Sequence, residues 1–139
     1  MNLSYREKSI WGTLTATLVV YGYYFAIVFS GAQPSQVNRA ALGRLISAVF
    51  VIVAIEVVYH IAIALTSKVE PKDERDFLIE TKAYRNAYFL LVTDLFMLMG
   101  TLVMIVLTPF LIANLMLLSV VVSEIVKYAT QLFLYRRGS

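Results

Sequence analysis

Five ionisable side chains stand where the chain is otherwise apolar: Glu56, His60, Asp94, Glu124 and Lys127. In hydrocarbon such groups are costly unless partnered, so they turn toward neighbouring helices or a wet cavity. Glu56 and His60 are i, i+4 neighbours and Glu124 and Lys127 are i, i+3 neighbours. On helices, each spacing makes an acid–base pair on one face. Two readings follow. The pairs neutralise one another and hold helices together, or the three carboxylates share a cavity that takes up a proton or a cation. Three carboxylates at one depth repel, which favours that uptake.

Other chemistry is poorly provided for. There is no cysteine, which removes disulfides, thiolate metal sites and cysteine nucleophiles. His60 beside carboxylates could ligate a divalent metal, yet no HExxH or Cys/His spacing selects one, and a hydrogen-bonded histidine is the plainer reading. Met97, Met99, Met104 and Met116 are scattered and read as packing or lipid-facing residues. No nucleophile elbow and no phosphate-cradling glycine loop occurs, so neither an enzyme nor a cofactor is expected.

The elements that must position these residues are set by hydropathy. Of 139 residues 60% are hydrophobic and 15% charged, and mean hydropathy is +0.75. A soluble chain this short cannot bury that much apolar surface. Spanning a bilayer takes roughly 20 apolar residues, and four stretches qualify: about 10–30, 42–66, 84–107 and 110–135. The first is too long for the apolar core of a leader peptide. Gly31-Ala32-Gln33-Pro34 stops it, and Thr108-Pro109 makes a tight turn between the last two. The expected architecture is all-α, a single domain over 1–139 forming a four-transmembrane-helix bundle.

Orientation follows from lysine and arginine near the helix ends. Arg6, Lys8, Lys68, Lys72, Arg75, Lys82, Arg85, Arg136 and Arg137 lie on one side; Arg39 and Arg44 lie on the other. Nine against two places both termini in the cytoplasm, with Tyr5, Trp11, Tyr84, Tyr88 and Tyr135 near that interface. Topology thus accounts for the net charge of +3 without nucleic acid.

Helix one carries Thr13, Thr17, Tyr21 and Tyr24 on one face, and helix four carries Glu124, Lys127, Tyr128, Gln131 and Tyr135 on one face. These stripes can converge with Glu56 and Asp94 near mid-membrane. Glu56-Val57-Val58-Tyr59-His60 mirrors Glu124-Ile125-Val126-Lys127-Tyr128, which invites a parallel two-helix duplication. The polar connector 67–83 holds Asp73, Glu74, Arg75 and Asp76, which read either as a solvated linker or as a partner-docking element. A helix is expected to start near Lys72 and run into the third span.

The stretch Asp73-Glu74-Arg75-Asp76-Phe77-Leu78-Ile79-Glu80-Thr81-Lys82-Ala83-Tyr84-Arg85 resembles a signature of an uncharacterised family of small prokaryotic four-span membrane proteins. The resemblance covers that segment and the four-span layout. It implies a prokaryotic, integral-membrane protein and brings no activity or ligand with it.

The function these features point to is a transporter or channel-like protein of the inner membrane, working as a homo-oligomer, with a dimer favoured. Its ligand would be a proton, metal ion or small cation held by Glu56, His60, Asp94, Glu124 and Lys127 with Tyr21 and Tyr24. The alternative is a non-transporting regulator or assembly factor that binds a partner through Asp73, Glu74, Arg75 and Asp76, its intramembrane charges purely structural.

Overall fold

The charged stretch ahead of the third apolar run supplies its own helix-start signal. Asp73 is extended, its side chain accepts from the Asp76 N–H at 2.7 Å, and the Asp76 side chain accepts from the Asp73 N–H at 3.0 Å. This reciprocal box satisfies two backbone donors that a helix start leaves open. The helix it begins runs Glu74–Met104. The computed structural model describes residues 5–31, 39–66 and 71–137. It has four helices: α1 Tyr5–Ser30, α2 Arg39–Thr66, α3 Glu74–Met104 and α4 Pro109–Arg137. Most of the α1–α2 turn (32–38) and the first part of the connector (67–70) fall outside the described residues.

Helix α3 stops at Met104, short of the expected Leu107. Ile105 is extended, and its N–H closes the last turn onto the Thr101 carbonyl at 2.8 Å. Thr108 precedes a proline and so is kept out of the helical region; the chain must extend before it can turn. Thr108 then caps α4, its hydroxyl accepting from the Leu111 N–H at 3.2 Å, with Pro109 at the first helical position.

Each of the four helices is long and apolar enough to cross a membrane. With 31 residues, α3 is about 46 Å long against an apolar layer of about 30 Å. The excess of about 16 Å is close to the length of its charged first three turns, through Arg85.

Packing runs in the order α2, α1, α4, α3: α1 meets α2 and α4, and α4 also meets α3. Among the described residues α2 and α3 make no comparable contact. A two-fold-related pair of hairpins would match the α1–α4 contact with one between α2 and α3. The inner helices bury 28% and 22% of their most apolar stretch, the outer α2 and α3 only 11% and 6%. Phe50, Val58, Phe89, Phe96, Met97 and Val103 on α2 and α3 are exposed, as a lipid-facing surface requires.

The core lies between α1, α2 and α4. Phe25 meets Tyr24 edge-on at 5.2 Å and stacks with Phe29 at 5.7 Å, over Val28, Ala48, Phe110 and Val121. At the other end of the α1–α2 contact, Gly12 lets the Tyr59 ring lie directly on the α1 backbone; an added Cβ would fall inside that ring. The Tyr59 hydroxyl donates to the Lys8 carbonyl at 2.7 Å.

Candidate functional site

Helix α1 turns a hydroxyl-bearing face inward, with Ser9, Thr13, Thr17 and Tyr21 roughly one turn apart. Thr13 and Thr17 are almost wholly buried. Opposite Thr17, α2 brings Glu56 and α4 brings Glu124 and Tyr128. Together with Tyr21 and three apolar residues they line one cavity of about 190 Å³. Glu56 lies about 15 Å along α2 from Thr66, and Glu124 about 20 Å along α4 from Arg137. The two mirrored glutamates thus meet at mid-helix depth, on helices that do not otherwise pack closely.

Their electrostatic settings differ. Glu124 is ion-paired with Lys127, whose buried ammonium also lies 4.4 Å from the Tyr128 ring centre and 5.1 Å from that of Tyr84. Those ring faces add attraction that grows where water is scarce. Glu56 is half-buried and has no ion-pair partner among the described residues. One acid is neutralised in place and the other is not.

His60 does not complete the expected pair with Glu56. Its ring turns to α1, with Nδ1 3.2 Å from the Ser9 hydroxyl and Nε2 3.4 Å from the Thr13 hydroxyl. One hydroxyl for each ring nitrogen satisfies both in a way a single carboxylate one turn away cannot. Asp94 also stands apart. It lies two turns beyond Ala87 on the stripe of α3 that packs on α4, half-buried, and it does not line the cavity. Helix α4 intervenes, so two carboxylates converge and not three. Among the described residues no three His, Asp or Glu side chains come together as a metal would require.

Tyr24 is a further correction. It is buried in the core, and its hydroxyl donates to Asn114 Oδ1 at 2.7 Å, while Asn114 Nδ2 donates to the Phe110 carbonyl at 2.8 Å. Asn114 is fully buried and ties α1 to α4. Asn114 carries no charge, and its signal in the sequence is that of an asparagine inside an apolar helix.

Comparison with protein-family models, curated proteins and solved structures found no match.

The remaining candidates, in the connector, are largely committed within the chain. Asp76 is buried, ion-paired with Arg6 of α1, and accepts from the Tyr135 hydroxyl of α4 at 2.7 Å. Arg75 donates to the Tyr135 carbonyl at 3.3 Å, and Asp73 is the cap. Only Glu74 remains exposed with no such tie. Burial alone would push the Asp76 carboxyl up. The Tyr135 hydroxyl, the Asp73 cap bonds and the Arg6 guanidinium outweigh it and hold the group at about 2. Beside this network a pocket of about 290 Å³ opens, walled by Tyr5, Arg6, Ser9, Gln131 and Tyr135, with the Lys72–Glu80 ion pair at its edge.

Proposed function

We propose that this chain is a small multi-pass membrane transporter or channel-like protein that binds a proton or small cation at Glu56. The observation that carries the reading is the cavity shared by Glu56 and Glu124, in which Lys127 neutralises one glutamate and leaves the other. A carboxylate at that depth without a counter-charge holds a proton or a cation, because the bare anion is too costly there. Tyr21, Tyr128 and Thr17 add hydroxyl oxygens able to replace water around the bound species. Glu124 with Lys127 then acts as a fixed neutral pair beside the exchanging group.

In this reading the termini and the connector are cytoplasmic, as the lysine and arginine distribution favours. The protein works as a homo-oligomer, a dimer first, whose contacts would come from the exposed outer faces of α2 and α3. A regulator that docks partners through Asp73, Glu74, Arg75 and Asp76 is the weaker alternative, since three of these four residues are engaged within the chain.

The test is flux in proteoliposomes carrying an imposed gradient of protons, potassium or a divalent cation in turn. Wild-type protein should dissipate at least one gradient, and Glu56→Gln should abolish that flux while the variant stays folded. Flux untouched by Glu56→Gln, or none for wild type in any gradient, would refute the proposal.

A further inference from the structure

The pocket at the connector end and the cavity at mid-membrane are joined by one polar column. Ser9 is a wall of the pocket and sits 3.2 Å from His60 Nδ1. On the other side of the ring, Nε2 is 3.4 Å from the Thr13 hydroxyl. Thr13 and Thr17, one turn apart on the same face, are 3% and 4% exposed, and Thr17 is a wall of the cavity that holds Glu56. Past the cavity lies the packed core of Tyr24, Phe25, Val28 and Phe110.

We propose that His60 relays protons between the connector-end pocket and Glu56, so that the species exchanged is a proton. The inference rests on Glu56 being the exchanging group and narrows its ligand. An imidazole can accept on one nitrogen and release from the other, which no other side chain does near neutral pH. A proton from pocket water reaches the Ser9 hydroxyl, and Ser9 passes one to the ring nitrogen facing it. The resulting imidazolium gives up the proton on the nitrogen facing Thr13. Thr13 hands one on, through Thr17 and cavity water, to the Glu56 carboxylate. Only O–H and N–H bonds break and form, and reorientation of the ring, or movement of its single N–H proton to the nitrogen facing Thr13, resets the histidine. At about 30 Å³ per water, a cavity of 190 Å³ has room for the last link.

Thr13 and Thr17 are the buried stretch of the column, while His60 itself is exposed. A hydrated metal or organic cation has no passage past Thr13 and Thr17, whereas a proton needs only their hydroxyls. The groups around His60 are Ser9 and Thr13 on α1, and Tyr59 at 6.1 Å between ring centres on α2. Glu56 is one turn away on the same helix, and Lys8 reaches α2 through its carbonyl to Tyr59.

The experiment uses the full chain in liposomes with a pH-reporting dye inside and an imposed pH gradient. His60→Ala should slow proton flux about a hundred-fold, the size of a lost proton-transfer group, and added imidazole should restore much of it. Thr13→Val should slow flux while Thr13→Ser does not. If His60→Ala does not fold, His60→Gln and the Thr13 pair decide the matter. Wild-type flux in His60→Ala, with Glu56→Gln inactive, would overturn the relay and leave Glu56 as the exchange site. Loss without imidazole rescue, with Thr13→Val unaffected, would also overturn it, marking His60 as a packing residue. Unchanged flux in Glu56→Gln would remove both proposals.

Discussion

Replacing Asp76 with asparagine removes the charge on which three helix ends converge. The native carboxylate accepts from Tyr135, closes the cap with Asp73 and pairs with Arg6; asparagine keeps the shape and an acceptor but not the charge. A carboxyl held at about 2 in the fold, against about 3.9 in an unfolded chain, contributes roughly 2–3 kcal/mol at neutral pH. A second route gives a similar figure. Breaking a fully buried ion pair costs about 3–5 kcal/mol, and the 15% and 12% exposure of these side chains lowers that somewhat. The sign follows from the lowered pKa. The contribution is complete above about pH 4, the unfolded value, and is lost as pH falls toward about 2. The assay is reversible unfolding by SDS in mixed micelles, followed by Trp11, the single tryptophan, which lies at this end under Arg136 at 5.4 Å. Asp76→Asn should be about 2 kcal/mol less stable than wild type at pH 7, and the gap should close as pH falls from about 4 toward 2. A loss within about 0.5 kcal/mol, as for an ordinary surface change, or a gap that persists unchanged at low pH, would refute this reasoning.

Three more perturbations probe the packing. Glu124→Gln leaves the Lys127 ammonium buried without its acid and should cost about 2–3 kcal/mol, more than Glu124→Gln combined with Lys127→Met; equal losses would mean the pair is not coupled. Tyr24→Phe and Asn114→Ala should each destabilise α1–α4 packing by about 0.6–2 kcal/mol, and a double-mutant cycle should show them strongly non-additive. Gly12→Ala drives a methyl group into the Tyr59 ring and should destabilise by about 2 kcal/mol or more. That loss should fall in the Gly12→Ala, Tyr59→Ala double variant, where the ring is gone; an additive result would place the strain elsewhere.

The helices were legible in the sequence because span length, caps and breakers are local signals: the proline after Thr108 and the acids around Asp73 mark two boundaries directly. The convergence of Glu56 and Glu124 was legible too, since depth along a helix follows from residue count. Helix order was not. Which faces meet depends on small differences in packing between helices of nearly uniform apolarity, so Asp94 could not be separated from the other two acids. Local spacing misled at His60, where i, i+4 geometry permits a pair with Glu56 but two hydroxyls on α1 satisfy the ring better. The connector misled in the same way. Its charges look solvent-facing in sequence, yet Arg6 and Tyr135, distant along the chain, draw Asp76 out of solvent. Tyr24 matched the spacing of the polar stripe, and only the tertiary position of Asn114 assigns its hydroxyl.

The account turns on Glu56 as the exchanging acid at mid-membrane. The most direct measurement is the rate at which liposomes holding wild-type, Glu56→Asp or Glu56→Gln protein lose an imposed pH gradient. The account predicts fast loss for wild type, a reduced rate for Glu56→Asp and the bare-liposome rate for Glu56→Gln. Equal rates for wild type and Glu56→Gln would contradict it.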